Sequence, residues 1–353
     1  LTLVPLSDGG PGFLDVLTAN VPGESSIVTT TDPRGRAVPA ALHITTDEGG
    51  RRTAWVESAQ AIGLHLLEVP ERDPGVTTTW GLGELLAAAL DQGVDRVVVG
   101  LGGSATNDAG AGMLAALGAG PREALAGGGA GLIAVREADL AGLAATRERF
   151  AGVELVAATD VASPLLGLQG ASAVFAAQKG ADPEQSQLLE GALGHFVDQV
   201  RRVLPAGTDL LSGRERRLDR EPGAGAAGGV GYALMLLGAR RASGVEMVLD
   251  AVGMDGLVAA ADLVVTGEGR LDWQSLQGKV VAGVAELAQR HATPAIAVAG
   301  QVLIGRRESM ALGLSGTYAV AEREEDVERA MADPVGTLRS RTERIAATWS
   351  PRR

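Results

Sequence analysis

The chain has 353 residues, 46% of them hydrophobic but only 3% aromatic, so its cores must be built from Ala, Val and Leu. Its length exceeds one typical domain and suggests two, and its net charge of −12 argues against nucleic acid, where a basic face supplies most of the affinity. Cysteine is absent, which excludes disulfides and thiolate chemistry, and no apolar run is long enough to span a membrane, so a cytoplasmic protein without a signal peptide is expected.

Leu1 to Leu6 reads as a strand, followed by the turn Ser7-Asp8-Gly9-Gly10-Pro11-Gly12 and a helix from Phe13. Glycine turns after strands are where α/β proteins bind ligands. Asp8 stands in such a turn, although an Asp beside Gly is most often a turn residue. Between Ser26 and Glu57 lie short alternating runs, Ala41 to Thr45 and Thr53 to Val56 among them. Asp47-Glu48-Gly49-Gly50 separates these two, which predicts a hairpin.

Trp80 to Leu90 reads as a helix leading into DRVVVGLGGSATNDAGAGMLAALG, from Asp95 to Gly118. The apolar run Val97 to Val99 predicts a buried strand that empties into Gly100, Gly102 and Gly103. A polar knot follows, Ser104-Ala105-Thr106-Asn107-Asp108, and then Met113, Leu114 and Leu117 at helical spacing. Strand, glycine turn and helix start leave backbone N–H groups pointing outward, a ready site for an anion. The competing reading of the knot is that Asn107 or Asp108 caps the helix. Gly120 to Gly131 reads as a surface loop.

Val153 to Thr159 predicts another buried strand, and Asp160 at its carboxyl end is well placed for chemistry. Lys179 follows in GASAVFAAQKGAD; it and Lys279 are the chain's two lysines, both beside glycine. Lysine serves phosphate as a compact point charge. Pro183 to Leu204 is an amphipathic helix, and the arginine-rich Arg214 to Arg220 leads to a glycine run with Gly223 and Gly225. That run opens a helix at Val230 to Leu237, either as an anion site or for close packing.

From Asp262 the pattern becomes regular. Asp262 to Thr266 is a strand, Ser275 to Arg290 a helix, Ala295 to Ala299 a strand, Arg307 to Leu312 a short helix and Thr317 to Val320 a strand. This alternation predicts right-handed crossovers and a parallel sheet. The first of these strands is expected to end in Gly267-Glu268-Gly269-Arg270-Leu271-Asp272. Two helical segments broken at Pro334 finish the chain.

Gly100 to Ala105 formally fits the dinucleotide pattern, but about 20 residues on, where an acidic residue is wanted, stand Gly120 and Pro121. Gly223 to Gly228 fits it too, without an upstream strand. Gly278-Lys279 lacks the rest of a Walker loop, the four histidines are scattered, and no G-x-S-x-G elbow occurs. What remains is a set of glycine turns carrying Asp8, Asp108, Asp160, Lys179, Glu268, Asp272 and Lys279. Phosphoryl transfer needs backbone amides for phosphate oxygens, carboxylates for Mg²⁺, a lysine for developing charge and a base for the hydroxyl. The residues therefore describe a phosphate-handling α/β enzyme.

The ordered motifs GLGGSATNDAGAGM, TDVASPLLG with GASAVFAAQKGA, PGAGAAGGVGYAL and VVTGEGRLDWQSLQGK, preceded by VPLSDGGPGF, closely resemble the bacterial type I glycerate kinase family. The resemblance runs essentially end to end. It implies ATP-dependent phosphorylation of D-glycerate, usually to 2-phosphoglycerate, with Mg²⁺, in a cleft between two α/β domains. One domain would be Rossmann-like, with a parallel sheet built from both chain ends (residues 1–27 and 255–353); the other would be an inserted mixed α/β domain (28–254). Asp160 would be the base, with Lys179 and Asp8 beside it. Gly9, Gly10, Gly102, Gly103, Ser104, Thr106, Asn107, Asp108, Gly223 and Gly225 would bind substrate or phosphate, as would Arg270 and Lys279. Glu268 and Asp272 would bind Mg²⁺ or substrate. No nucleic acid or membrane partner is implied, and the resemblance leaves room for a homodimer.

Two departures bear on these expectations. Family members usually carry an extra strand and an Asp-bearing turn before the segment matching Leu1, and Pro11-Gly12-Phe13 stands where Glu-Gly-Thr is more common. The first departure would remove a central strand and a site ligand. An inactive, truncated homologue that binds a small molecule is therefore the alternative, and a nicotinamide-dependent dehydrogenase a more distant one.

Overall fold

The computed structural model describes all residues except 206, 209–212, 214, 274, 276–278 and 351–353. The described chain forms an α/β protein of two compact units, Leu1–Val248 and Leu249–Arg353.

The first unit is built on a six-stranded sheet in the order β1-β2-β3-β4-β5-β6. Its strands are β1 (Glu24–Thr31), β2 (Ala37–Thr46), β3 (Arg52–Glu57), β4 (Arg96–Gly100), β5 (Glu154–Ala158) and β6 (Arg240–Ala242). The first three run antiparallel, while β3 to β6 run parallel. The expected hairpin joins β2 to β3: Asp47 Oδ1 accepts from the amides of Gly49 and Arg51, and Gly50 takes a φ of 81°. Val97, Val98 and Val99 are fully buried, as a central parallel strand covered on both faces requires.

The parallel pairing brings four strand ends into one row. Glu57 of β3 lies opposite Gly100 of β4, Gly100 opposite Ala158 of β5, and Ala158 opposite Ala242 of β6. Everything that follows these residues emerges at the same carboxyl edge, where ligands meet open α/β sheets.

The second unit carries a three-stranded parallel sheet, β7 (Val264–Leu271), β8 (Ala295–Val302) and β9 (Gly316–Ala319). The helices Val280–Arg290 and Arg306–Ala311 make the crossovers, as the alternating pattern predicts. Pro334 opens the last helix, Pro334–Trp349, at a position where its missing N–H costs nothing. The expected stretch 276–278 of the crossover helix, with Gly278, lies outside the described residues, as does Arg214. Among the described residues no helix is long and apolar enough to cross a membrane.

Four expectations are corrected. Leu1 to Leu6 forms no strand, because no neighbouring strand takes up its hydrogen bonds. Residues 1–27 group with the first unit and add no strand to the three-stranded sheet: Phe13, Leu14 and Leu17 are buried and β1 pairs with β2. β7 runs on through Glu268 and Arg270, since β8 continues to pair with it as far as Leu271 opposite Val302. Those two residues therefore lie in a strand and not in a turn. Finally, Gly120 to Gly131 contains the helical turn Arg122–Leu125.

Candidate active site

Asp160 lies two residues beyond β5, half-buried. Its Oδ1 accepts from the Ser243 hydroxyl at 2.7 Å and its Oδ2 from the Val245 amide at 3.2 Å. Ser243 and Val245 follow β6, the strand paired with β5, so the parallel sheet itself creates this meeting. Burial pushes the Asp160 carboxyl up to about 6, the negative charge of Asp8 adds to the rise, and the two hydrogen bonds and Arg241 oppose it. A carboxylate with that value holds its charge at neutral pH and has gained basicity over an ordinary aspartate.

The Asp8 turn packs onto this edge through bare backbone. Asp8 Oδ1 accepts from the Gly10 amide at 3.1 Å, closing the turn. A Cβ on Gly102 would lie 2.6 Å from the Gly10 Cα, and one on Gly244 would lie 2.2 Å from the Asp8 carbonyl oxygen. Neither position accepts a side chain, so the two glycine turns meet backbone to backbone, and Gly244 sits between the Asp8 carbonyl and the Asp160 carboxylate. Among the described residues the amides of Gly102, Gly103 and Ser104 have no acceptor. Successive uncommitted N–H groups of this kind suit an anion.

The polar knot divides into two roles. Asp108 is fully buried, and its Oδ2 accepts from the amide and hydroxyl of Thr79, both at 2.9 Å, and from the Gly112 amide at 3.3 Å. Its Oδ1 takes the Gly110 amide at 3.0 Å. The capping alternative is thus the one built here, and Asp108 has no oxygen turned to a ligand; burial pushes its carboxyl up against these bonds. Asn107 donates from Nδ2 to the Ser172 hydroxyl at 2.9 Å. Among the described residues its Oδ1 and the Thr106 hydroxyl are buried without a partner. Ala109 and Ala227 both take left-handed backbone, φ 52° and 51°, and the Ala109 amide donates to the Gly228 carbonyl at 3.0 Å. Such strain at two facing turns persists only where the surroundings impose it.

Lys179 is 2% exposed, and its ammonium donates to the Ser104 hydroxyl at 3.0 Å and the Thr106 carbonyl at 2.6 Å. It holds the knot from behind. Burial pulls its pKa down to about 7, with the Asp108 charge pulling the other way. Gly223 packs against the Arg241 side chain and Thr159, and Gly225 against the Ser163 and Pro164 backbone, so the third glycine run closes the same neighbourhood.

Asp8, Gly9, Gly10, Gly102, Gly103, Ser104, Thr106, Asn107, Asp108, Asp160, Lys179, Gly223 and Gly225 all belong to the first unit, while Glu268, Arg270, Asp272 and Lys279 belong to the second. In the second unit Glu268 is half-buried on β7, Arg270 is exposed, and Lys279 stands just before the helix Val280–Arg290. The turn at Asp272 is pinned by Ser275, whose hydroxyl donates to the Arg270 carbonyl at 3.2 Å and accepts from the Asp272 amide at 3.1 Å. Among the described residues no group of three or more His, Asp or Glu side chains is gathered to hold a metal. Mg²⁺ commonly takes only one or two carboxylates together with substrate phosphates, and the hard oxygens of Glu268 and Asp272 fit that pattern.

Ser243, Gly244, Arg241 and Glu57 were not legible as site residues. Ser243 and Gly244 follow, and Arg241 lies within, a three-residue strand with little apolar signature, and Glu57 ends a strand that reads as half of a hairpin.

A model of the glycerate kinase family matches residues 1–350. The glycerate kinase of Bacillus subtilis (strain 168) is 41% identical over 304 residues, which cover 85% of this chain and 75% of that protein. The glycerate 2-kinase of Escherichia coli (strain K12) is 39% identical over 304 residues, 85% of this chain and 76% of its own. A crystal structure from Salmonella typhimurium LT2, assigned as glycerate kinase 2, is similar at a TM-score of 0.71 and 36% identity, covering 98% of this chain and 89% of that one.

Proposed function

The chain belongs to the glycerate kinase family and is a kinase, and from that premise we propose that it transfers a phosphoryl group from ATP to D-glycerate, giving 2-phosphoglycerate with Mg²⁺. The name of the Escherichia coli relative supports the 2-position. The observation that carries the reading is the Asp160 carboxylate at the end of β5, held by Ser243 and Val245 and raised in basicity by burial and by Asp8.

In this reading Asp160 orients the glycerate hydroxyl and takes its proton as the oxygen attacks. Ser243 and Val245 fix both carboxylate oxygens, so only lone pairs pointing away from them remain for the substrate. The amides of Gly102, Gly103 and Ser104 and the Thr106 hydroxyl cradle a phosphate or the glycerate carboxylate. Lys179 shapes that cradle and adds positive charge behind it. When bound, Mg²⁺ neutralises charge on the transferred phosphoryl group; Glu268 and Asp272 are its proposed ligands, and Arg270 and Lys279 the proposed phosphate contacts in the second unit.

The test is ADP release on addition of D-glycerate and ATP, with and without a chelator, and phosphorus NMR of the product. The expected result is chelator-sensitive turnover yielding 2-phosphoglycerate. Absence of turnover would sink the activity, and 3-phosphoglycerate as product would overturn the regiochemistry.

A further inference from the structure

The helix Phe13–Asn20 begins without a capping side chain of its own. Its N-cap is Gly12, at a φ of 89°, and no side chain of the preceding turn accepts from its first amides. Those amides are taken instead by a residue from another strand. Glu57, the last residue of β3, accepts from the Gly12 amide on Oε1 at 3.3 Å and from the Leu14 amide on Oε2 at 3.0 Å. Glu57 is 5% exposed, and a carboxylate so buried is costly unless its oxygens are occupied. Here one N–H is supplied to each oxygen, at the positive end of a helix.

What this clamp holds is the Asp8 turn. The Phe13 amide donates to the Gly10 carbonyl at 3.0 Å, so the helix start and the turn move as one piece. The Phe13 ring is fully buried, edge-on to Trp55 of β3 with centroids 5.9 Å apart. On the far side, the Gly9 backbone lies against Ala158, the last residue of β5, and Gly244, which follows Ser243 after β6. Residues 1–8 themselves form no strand or helix. The position of Asp8 therefore depends on what grips the chain just after it.

We propose that Glu57 is a positioning residue, clamping the start of the helix Phe13–Asn20 so that the Asp8 turn is held beside the Asp160 carboxylate. The proposal rests on the reading of Asp160 as the base. The charges facing Glu57 are Asp15 and His65, and those facing Asp160 are Asp8 and Arg241. Burial raises the Glu57 carboxyl, with Asp15 adding to the rise and the two amides and His65 opposing it. Among these charges Asp8 is the one the clamp places, and its proximity is part of what raises Asp160. Loosening the clamp removes that contribution.

The test uses Glu57→Gln, an isosteric change that leaves one acceptor oxygen where two were engaged. Hydrogen exchange should accelerate about tenfold or more in the segment 8–16, because a charge-assisted bond there is lost, while β4 and β5 keep their protection. The acid limb of the kcat profile should move to lower pH, and in an Asp8→Asn background Glu57→Gln should move it no further. Unchanged exchange at 8–16, a rise spread evenly over the first unit, or an unshifted limb would each overturn the proposal, as would a full shift persisting without Asp8. If Asp160→Asn proves as active as the unmodified enzyme, the reading of the base fails, and the exchange data still decide whether Glu57 holds the turn.

Discussion

The Ser243 hydroxyl donates to Oδ1 of Asp160 across 2.7 Å, joining side chains 83 residues apart. Two adjacent parallel strands make this possible: β5 delivers the carboxylate and β6 delivers the hydroxyl at the same edge. The Val245 amide then occupies the other oxygen. The candidate base is thereby fixed in orientation before any substrate arrives.

Replacing Asp160 by Asn preserves the shape but leaves one acceptor oxygen where Ser243 and Val245 engaged two, and it removes the ability to take a proton. Turnover is expected to fall by about 10²- to 10⁴-fold, with KM for glycerate changed far less and the circular dichroism unaltered. Steady-state kinetics with D-glycerate check this, and near-normal turnover would remove Asp160 from the role.

The pH dependence follows from the same carboxyl. Because Asp160 titrates at about 6, kcat should rise with pH through that value. Asp8→Asn removes a neighbouring negative charge and should move the limb to lower pH; Ser243→Ala removes a bond to the charged form and should move it higher. Stability obeys the opposite slope. Between the ordinary value of 3.8 and about 6 the folded protein holds a proton that the unfolded chain has released, so stability falls as pH rises through that window. Denaturant titrations of the unmodified protein and Asp160→Asn should differ in slope there.

Lys179 supplies an alkaline counterpart. Its folded value of about 7 lies below the ordinary 10.5, so between the two the unfolded chain binds a proton that the folded one does not. Stability should therefore climb with pH across that interval. Lys179→Met should abolish this climb. It should also cost about 1–3 kcal/mol at its alkaline end, where the Ser104 hydroxyl and Thr106 carbonyl lose their buried partner. Paired urea melts at pH 7 and pH 10 measure both effects.

Gly244 tests the convergence of backbones. An added methyl would lie 2.2 Å from the Asp8 carbonyl and 3.2 Å from Asp160 Oδ2. Gly244→Ala should cost about 1–3 kcal/mol from overpacking and depress turnover more than Gly253→Ala, a site with open space around it. Gly253 carries a positive φ of 66°, so its variant controls for a general cost of adding a methyl group; equal losses of turnover in the two variants would show that the approach to Asp8 does not set the effect.

Much of this architecture could be read from local pattern. The run Val97 to Val99 and the run ending at Asp160 announced buried parallel strands, because a strand covered on both faces reads as a near-continuous apolar run without polar alternation. The glycine turns marked the carboxyl edge, and the ordered motifs identified the family that the comparisons then showed. The three-strand alternation after Asp262 was legible for the same reason, although β7 runs further than its glycines suggested.

Tertiary structure alone decided which of those residues meet. Asp108 became a buried cap because Thr79 happened to face it, and Lys179 became a strut because helix packing buried its ammonium against the knot. Ser243 and Glu57 carry no periodic or motif signal; each matters through a partner dozens of residues away. Periodicity reports only which face of an element is covered. The pairing order of the sheet decides what stands opposite, and that order is set by the packing of the whole chain.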